Sequence, residues 1–396
     1  MSNPRSSLAE VARIFLRLGL TSFGGPVAHL GYLHEEIVRR RQWLDEAEYA
    51  DLVALCQFLP GPASSQLVFA LGQKRAGLAG ALTASLCFTL PSAALMIAFG
   101  YGVTALAGVG SAGWLHGLKL AAVAVVAQAV WVMARKLCPD APRIVMMVLA
   151  AAALVMWPGG LVQLAIIAVG AAAGALWYRK SILAPASGPT GLTRGHRWAV
   201  LTLAIFAVLL VALPALAATT NLLPVRMCDS FYRAGSLVFG GGHVVLPLLR
   251  AEVVPPGWIS DDRFLAGYGL AQAVPGPLFT FAAYLGAVIL PGPWAWAGGL
   301  LGLLAVFLPA WLLIGGALPF WSLLRAQPAA QAALRGANAA VVGVLLAALY
   351  RPLWTEGITN PRDALVAAAA FVLLMFARAP SWLVVLAAAA AGQWLR

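Results

Sequence analysis

Apolar residues run almost unbroken through 77–105, 113–134, 160–178, 198–218 and 294–318, each long enough to cross a hydrocarbon layer as a helix. A shorter apolar run, 143–157, lies among them. Other apolar stretches interrupt themselves. "QFLPGP" (57–62) places two prolines and a glycine where a helix is expected to continue, and "QAVPGP" (272–277) does the same in the second half. Proline removes a helix hydrogen bond and clashes with the preceding turn, so each motif predicts a break.

The breaks belong to a longer repeat. "RLGLTSFGGP" (17–26) corresponds to "RAGSLVFGGG" (233–242), pairing Arg17 with Arg233, Phe23-Gly24-Gly25 with Phe239-Gly240-Gly241, and Glu36 with Glu252 without a gap. One deletion later, Trp43 pairs with Trp258, Gln57 with Gln272, and Pro60-Gly61-Pro62 with Pro275-Gly276-Pro277. Pro91 then matches Pro309 and Gly117 matches Gly336. The chain therefore reads as a duplication: an N-terminal repeat (1–178), a linker (179–197), a connecting transmembrane helix (198–218) and a C-terminal repeat (219–396).

Composition fixes the class. Of 396 residues, 62% are hydrophobic and only 10% charged, too few to cover a soluble surface, so the expected fold is an all-α polytopic membrane protein. The net charge of +12 fits cytoplasmic loops and anionic lipid headgroups, with no nucleic acid needed as partner. Cys56, Cys87, Cys138 and Cys228 show no paired metal-site or disulfide spacing. No nucleophile–base pair or metal-ligand cluster suggests an enzyme, and no cofactor is expected.

Charge also gives orientation. With 49–72 as a re-entrant hairpin, the N-repeat loops on its face carry Arg39, Arg40, Arg41, Lys74 and Arg75, whereas their C-repeat equivalents carry only Arg250 and Arg263. The first set is expected on the cytoplasmic face and the second outside. Extended along the chain, the scheme puts Arg135, Lys136, Arg143, Arg179, Lys180, Arg194, Arg197, Arg325 and Arg378 inside with the first set. Arg226, Arg250, Arg263, Arg351, Arg362 and Arg396 fall outside. The repeats are thus expected to have inverted topology, a transporter signature, with 179–197 cytoplasmic. Segment 8–33, broken at Gly24-Gly25-Pro26, reads either as a second hairpin or as a tilted crossing.

Broken helices bring free N–H groups and positive dipole ends to mid-membrane, where an anion can be held without a formal charge. The candidate substrate groups are therefore Gly24, Gly25, Gly61, Gly240, Gly241, Gly242 and Gly276, with Pro26, Pro60, Pro62, Pro275 and Pro277 making the breaks. Arg17 and Arg233 each stand seven residues before the first glycine of a break and are candidate oxyanion ligands, because guanidinium donates paired hydrogen bonds; snorkelling to the interface is the competing role. Arg13 has a helix-face pair with Glu10 as its alternative. Lys119 and Arg335 form a second candidate cationic pair. His29 and His243, just after the breaks, read as proton carriers, substrate donors or structural histidines. Gln57 and Gln272 either satisfy freed backbone or touch substrate. Glu36 and Glu252 either carry a coupling proton or orient loops.

"SFGGP" with "RRRQWLDEAEYADLVALCQFLPGPASSQL", and "VFGGGHVVLPLL" with "GWISDDRFLAGYGLAQAVPGPLF", closely resemble the chromate ion transporter family in its long two-domain form. The resemblance covers nearly the whole chain. It implies a bacterial inner-membrane, multi-pass protein that extrudes chromate and confers chromate resistance, with sulfate as competing analogue and inverted halves. Pro26 replaces the third glycine of the family's run, which is intact at 240–247. Sulfate or another oxyanion as main cargo, and an anion channel, are the alternatives. Membrane lipids are implied partners, and a homodimer stays open.

Overall fold

The computed structural model describes residues 7–105, 112–178 and 196–394; most of the expected linker 179–197 lies outside them. Among the described residues the chain is helical, without strands. Helices α1 (Leu8–Thr21) and α2 (Gly25–His34), the latter running on as a π-helical turn to Arg40, are followed by α3 (Glu46–Phe58) and the long α4 (Ala63–Ala105). Then come α5 (Ala112–Leu137), α6 (Ala141–Met156), α7 (Gly160–Tyr178) and α8 (His196–Thr220). The second repeat holds α9 (Leu223–Ser236), α10 (Val245–Val253), α11 (Asp261–Ala271), α12 (Phe281–Ile289) and α13 (Ala295–Ala317). It closes with α14 (Trp321–Arg325), α15 (Pro328–Ala348), the short α16 (Thr355–Gly357), α17 (Pro361–Met375) and α18 (Ser381–Trp394). Six helical stretches among the described residues are long and apolar enough to span a membrane.

Ion pairs show how the broken segments run. Glu10 near the start of α1 pairs with Arg41, just past the π turn, at 3.0 Å. Both ends of 8–41 therefore lie together, and the segment is a re-entrant hairpin, not a crossing. Lys74 returns to Glu48 at 2.9 Å, making α3 and the first part of α4 a second hairpin, which ends where Ala76 and Gly77 leave helical geometry. The C-terminal repeat does the same: Arg226 on α9 lies over the Trp258 ring at 5.2 Å, and the Tyr284 hydroxyl of α12 donates to the Arg263 carbonyl of α11 at 2.9 Å. Within each repeat the two bases adjoin, through His34–Glu46 at 2.7 Å and Arg250–Asp261 at 2.6 Å.

The repeats face opposite ways. Helix α13 starts beside α12, where a Cβ on Gly298 would meet the Gly286 carbonyl, and rises about 34 Å over its length. Just beyond its end, Trp321 and Arg325 reach Asp51 at the base of the N-repeat hairpins, at 2.9 and 2.6 Å. In the other direction, α4 leaves the N-repeat base at Gly77 and packs Gly100 against Ala287 of α12. The two sets of bases are a bilayer apart, which is the inversion the loop charges predict. Equivalent glycines make equivalent close approaches: a Cβ on Gly19 would lie 2.6 Å from the Phe88 carbonyl, and one on Gly235 would lie 2.2 Å from that of Val306. Small residues let membrane helices touch backbone to backbone.

Candidate functional site

Each hairpin turns through left-handed backbone. Gly24, Gly25, Gly240 and Gly241 have φ of 95°, 74°, 76° and 143°, and Gly61 and Gly276 have 118° and 98°; side chains are disfavoured at such angles. Pro26 stands in the first turn of α2. Pro62 directly precedes α4, and Pro277 precedes the 3₁₀ turn Leu278–Thr280 that leads into α12. Those are positions where a missing N–H costs little. Pro60 and Pro275 close the incoming side of their turns.

The four tips meet across the repeat boundary. The Gly61 amide donates to the Val238 carbonyl at 2.7 Å, and the Gly276 amide donates to the Ser22 carbonyl at 2.8 Å. These are one contact made twice, since Gly61 corresponds to Gly276 and Ser22 to Val238 in the repeat alignment. The second hairpin of each repeat caps the first hairpin of the other.

Both histidines flank the first tip. Buried His29 has Nε2 3.1 Å from the Ser22 carbonyl and Nδ1 3.4 Å from Ser64 Oγ. A carbonyl only accepts, so Nε2 carries the proton and Nδ1 accepts from the serine. His243 lies across the gap: its Nδ1 is 2.8 Å from the Tyr268 hydroxyl, and a Cβ on Gly25 would lie 4.0 Å from its Nε2. The glutamines part company. Gln272 is buried at its tip, with its carbonyl accepting from Ser381 Oγ at 3.1 Å and its side-chain Nε2 without a partner among the described residues. Gln57 is exposed. Beside Gly240, the Asn338 Oδ1 is also buried and unpartnered, while Gly242 opens a buried 3₁₀ turn into α10.

The tips bring helix N-termini together without formal charge. Helices α2, α4, α10 and α12 all begin there, and none has an acidic residue in its first turn. Three carbonyls on the incoming sides of the turns are occupied. Val238 O and Ser22 O take the cross-repeat amides, and Pro60 O accepts from Gln66 Nε2 at 2.7 Å. N-terminal dipole ends and free N–H groups remain to meet an anion.

The arginines lie on the hairpin stems. Arg17 pairs with Glu36, which is buried and also takes Arg41 at 2.7 Å. Arg233 bonds Asp229 at 2.8–2.9 Å and Glu252 at 2.8–3.0 Å. It lines a cavity of about 400 Å³ with Arg226, Asp229, Glu252 and Trp258. Arg13 is exposed, and Glu10 takes Arg41 in its place. Lys119 pairs with Asp262 at 2.8 Å, and Arg335 lies over Tyr178 at 5.9 Å, so these two do not form a cationic pair. Among the described residues no group of three metal-ligating side chains occurs.

Sequence reasoning passed over a polar lining on one side. Ser64, Gln66, Ser85, Thr89 and Ser92 of the N-repeat are buried, while their equivalents Phe279, Phe281, Leu303, Phe307 and Ala310 are apolar. Ser65 Oγ, Gln66 Oε1 and Ser85 Oγ are buried without partners among the described residues. The signal lay in the repeat alignment, where the two halves diverge in polarity behind the same break.

A family model described as chromate transporter matches residues 9–175 and 225–393, one match per repeat. The chain belongs to the chromate transporter family. The transporter is 31% identical to a chromate transport protein of Pseudomonas aeruginosa over 364 residues, covering 86% of this chain and 80% of that one. It is 28% identical to a chromate transport protein of Cupriavidus metallidurans, covering 94% and 89%. It is 29% identical to a probable chromate transport protein of Synechococcus elongatus, covering 88% and 85%. No solved structure matches the transporter.

Proposed function

We propose that this transporter exports chromate across a bacterial inner membrane, binding the anion where the four hairpin tips meet. The observation carrying this reading is the reciprocal pair of tip contacts, Gly61 to Val238 and Gly276 to Ser22. It gathers four helix N-termini, His29, His243 and the unpartnered Gln272 amide at one place on the pseudo-two-fold axis.

Chromate is a tetrahedral dianion near neutral pH. N–H groups, hydroxyls and an amide read its shape and charge, and they read sulfate in much the same way, so sulfate competes. Arg17 and Arg233 act from the stems: each sits about 10 Å below its break, contributes positive field, and is held in place by a carboxylate. Glu36 and Glu252 are the groups through which a proton would be coupled, if one is. Loop charge puts the N-repeat base in the cytoplasm, and the cluster of Arg39, Arg40, Arg41 and Arg75 there favours anion entry from that side.

The test compares chromate accumulation in cells with and without the protein, and uptake by inverted vesicles. Export lowers cellular chromate and gives saturable vesicle uptake inhibited by sulfate. Equal accumulation in both strains would remove the chromate assignment, and unitary currents in a planar bilayer would make the protein a channel.

A further inference from the structure

A second cavity, of about 550 Å³, lies at the C-repeat base, between the α6–α7 turn, α10 and the distorted segment after α15. Its polar lining comes from Gln163, Arg250, Arg351 and Glu356. Gln163 is 2% exposed and its Nε2 has no hydrogen-bond partner among the described residues. A buried donor left unpaired is destabilising, so an acceptor in the cavity would relieve it. Arg351 has no carboxylate within 4 Å among the described residues, while Arg250 is anchored by Asp261 at 2.6 and 2.9 Å with Glu356 3.9 Å away. Helix α7 begins on the same wall: the Gln163 amide bonds the Gly159 carbonyl at 3.0 Å, and Gly159 has no side chain to cap the first turn. The dipole end and the N–H groups of that turn therefore face the cavity with two arginines and a single acid.

The remaining walls are aliphatic and proline side chains, with no aromatic ring to stack a base or sugar. Low-polarity walls strengthen the attraction of the fixed positive groups. A small tetrahedral oxyanion is the ligand that fits this donor set. Pro247 on α10 bounds the cavity, five residues after Gly242, so one end lies along the helix that starts at the C-repeat tip.

We propose that this cavity is a second oxyanion site, an exit vestibule on the face opposite the arginine-rich N-repeat base. The inference rests on the reading of the tips as the central anion site. Transport then hands the anion from a neutral cradle to a charged outer one, and anion added outside occupies the vestibule first.

The test is equilibrium binding of radiolabelled sulfate and chromate to the full-length protein in nanodiscs of neutral lipid. Wild type is expected to bind two equivalents. Arg351→Ala with Gln163→Leu is expected to weaken one of them at least tenfold, and Gln272→Leu to weaken the other. Arg351→Lys, which keeps the charge, is expected to retain both and guards against a folding defect. One equivalent in wild type, untouched by Arg351→Ala, overturns the outer site and leaves the central one standing. No binding in wild type overturns both. Phospholipid seen by native mass spectrometry to leave on Arg351→Ala, with anion stoichiometry unchanged, assigns the cavity to a lipid phosphate and overturns the proposal.

Discussion

Gly61 and Val238 stand in different repeats, yet the amide of one donates to the carbonyl of the other at 2.7 Å, at the turning point of both hairpins. Gly276 and Ser22 make the same contact at 2.8 Å under the pseudo-two-fold. The tips are therefore tied in pairs, each joining a hairpin based on one face to a hairpin based on the other. Opening toward either face would separate hairpins that these two equivalent ties now join.

Substituting either glycine should expose this coupling. A Cβ on Gly276 would lie 2.8 Å from Ser92 Oγ, and one on Gly61 would lie 3.0 Å from Gln66 Nε2 and 3.1 Å from Ala310 Cβ. Both positions also have positive φ, which costs a non-glycine residue about 1–3 kcal/mol. Gly61→Ala and Gly276→Ala are expected to abolish chromate export and to lower the thermal midpoint in detergent by several degrees. Ser92→Ala in the Gly276→Ala background should recover part of the midpoint by removing the nearer clash. Full export by either single variant would show that the ties can be dispensed with.

Much of this was legible beforehand because a duplicated chain carries its own comparison. The pairing of Arg17 with Arg233 and of Gly61 with Gly276 needs only the letters, and the loop arginines give the inversion. What stayed hidden depends on where side chains point. Arg17 and Glu36 lie nineteen residues apart and nothing local pairs them, but the hairpin brings the two together as an ion pair. Gln57 and Gln272 share a motif and differ in burial because the C-repeat tip is covered by Ser381 of α18. The polar face of Ser64 and Ser92 was present in the sequence, but only the fold shows that it lines the junction of the tips.

Arg233 can be tested as a clamp. It bonds Asp229 and Glu252 together, so Arg233→Ala leaves two neighbouring carboxylates facing each other. Removing one partner of a buried pair costs about 3–5 kcal/mol; this site is partly open to solvent, so the low end is expected. Folded yield should fall in Arg233→Ala and return in Arg233→Gln with Asp229→Asn and Glu252→Gln. If the neutral triple variant also exports chromate, the arginine is a clamp. If it folds and fails to export, the arginine's charge acts on the anion.

The polarity difference between repeats makes a sharper prediction. Ser64 is equivalent to Phe279, and Ser64 Oγ is 3.4 Å from His29 Nδ1. Ser64→Ala should raise the KM for chromate several-fold, because the hydroxyl that donates to His29 Nδ1 and fixes the ring is lost, a hydrogen bond worth about 0.5–1.5 kcal/mol, with little change in thermal midpoint. Ser64→Phe should block export. Phe279→Leu should lower stability and leave KM unchanged. Equal KM values across the serine and phenylalanine variants would place the anion elsewhere.

A pH effect is expected away from the site. Asp140 caps α6 in the loop before it, and hydrogen bonds from Arg143, then from the Tyr178 hydroxyl, hold its carboxyl well below the usual carboxylate range despite some desolvation. A lowered folded-state value means the stabilisation is present above the unfolded value of about 3.9 and is lost as pH falls below it. Between pH 7 and pH 3 the deficit in thermal midpoint of Asp140→Asn against wild type should hold steady at the upper end and begin to narrow below about pH 4. A constant gap across that range would assign the difference to packing.

Export of a dianion from an electrically negative interior needs no second ion. Each charge gains about 2.3 kcal/mol per 100 mV, so chromate gains about 4.6 kcal/mol, enough for a gradient of roughly a thousandfold at about 1.4 kcal/mol per decade. The neutral donors at the tips are consistent with this, since in the proposed site they would hold the anion without supplying a countercharge that travels with it. In inverted vesicles an interior-positive potassium diffusion potential should accelerate chromate uptake, and collapsing it should slow uptake even at constant pH. Uptake that ignores the potential and follows a proton gradient would mean electroneutral exchange. In that case Glu36→Gln and Glu252→Gln are the variants expected to uncouple transport from pH, because these equivalent carboxylates sit against Arg17 and Arg233 in the two stems.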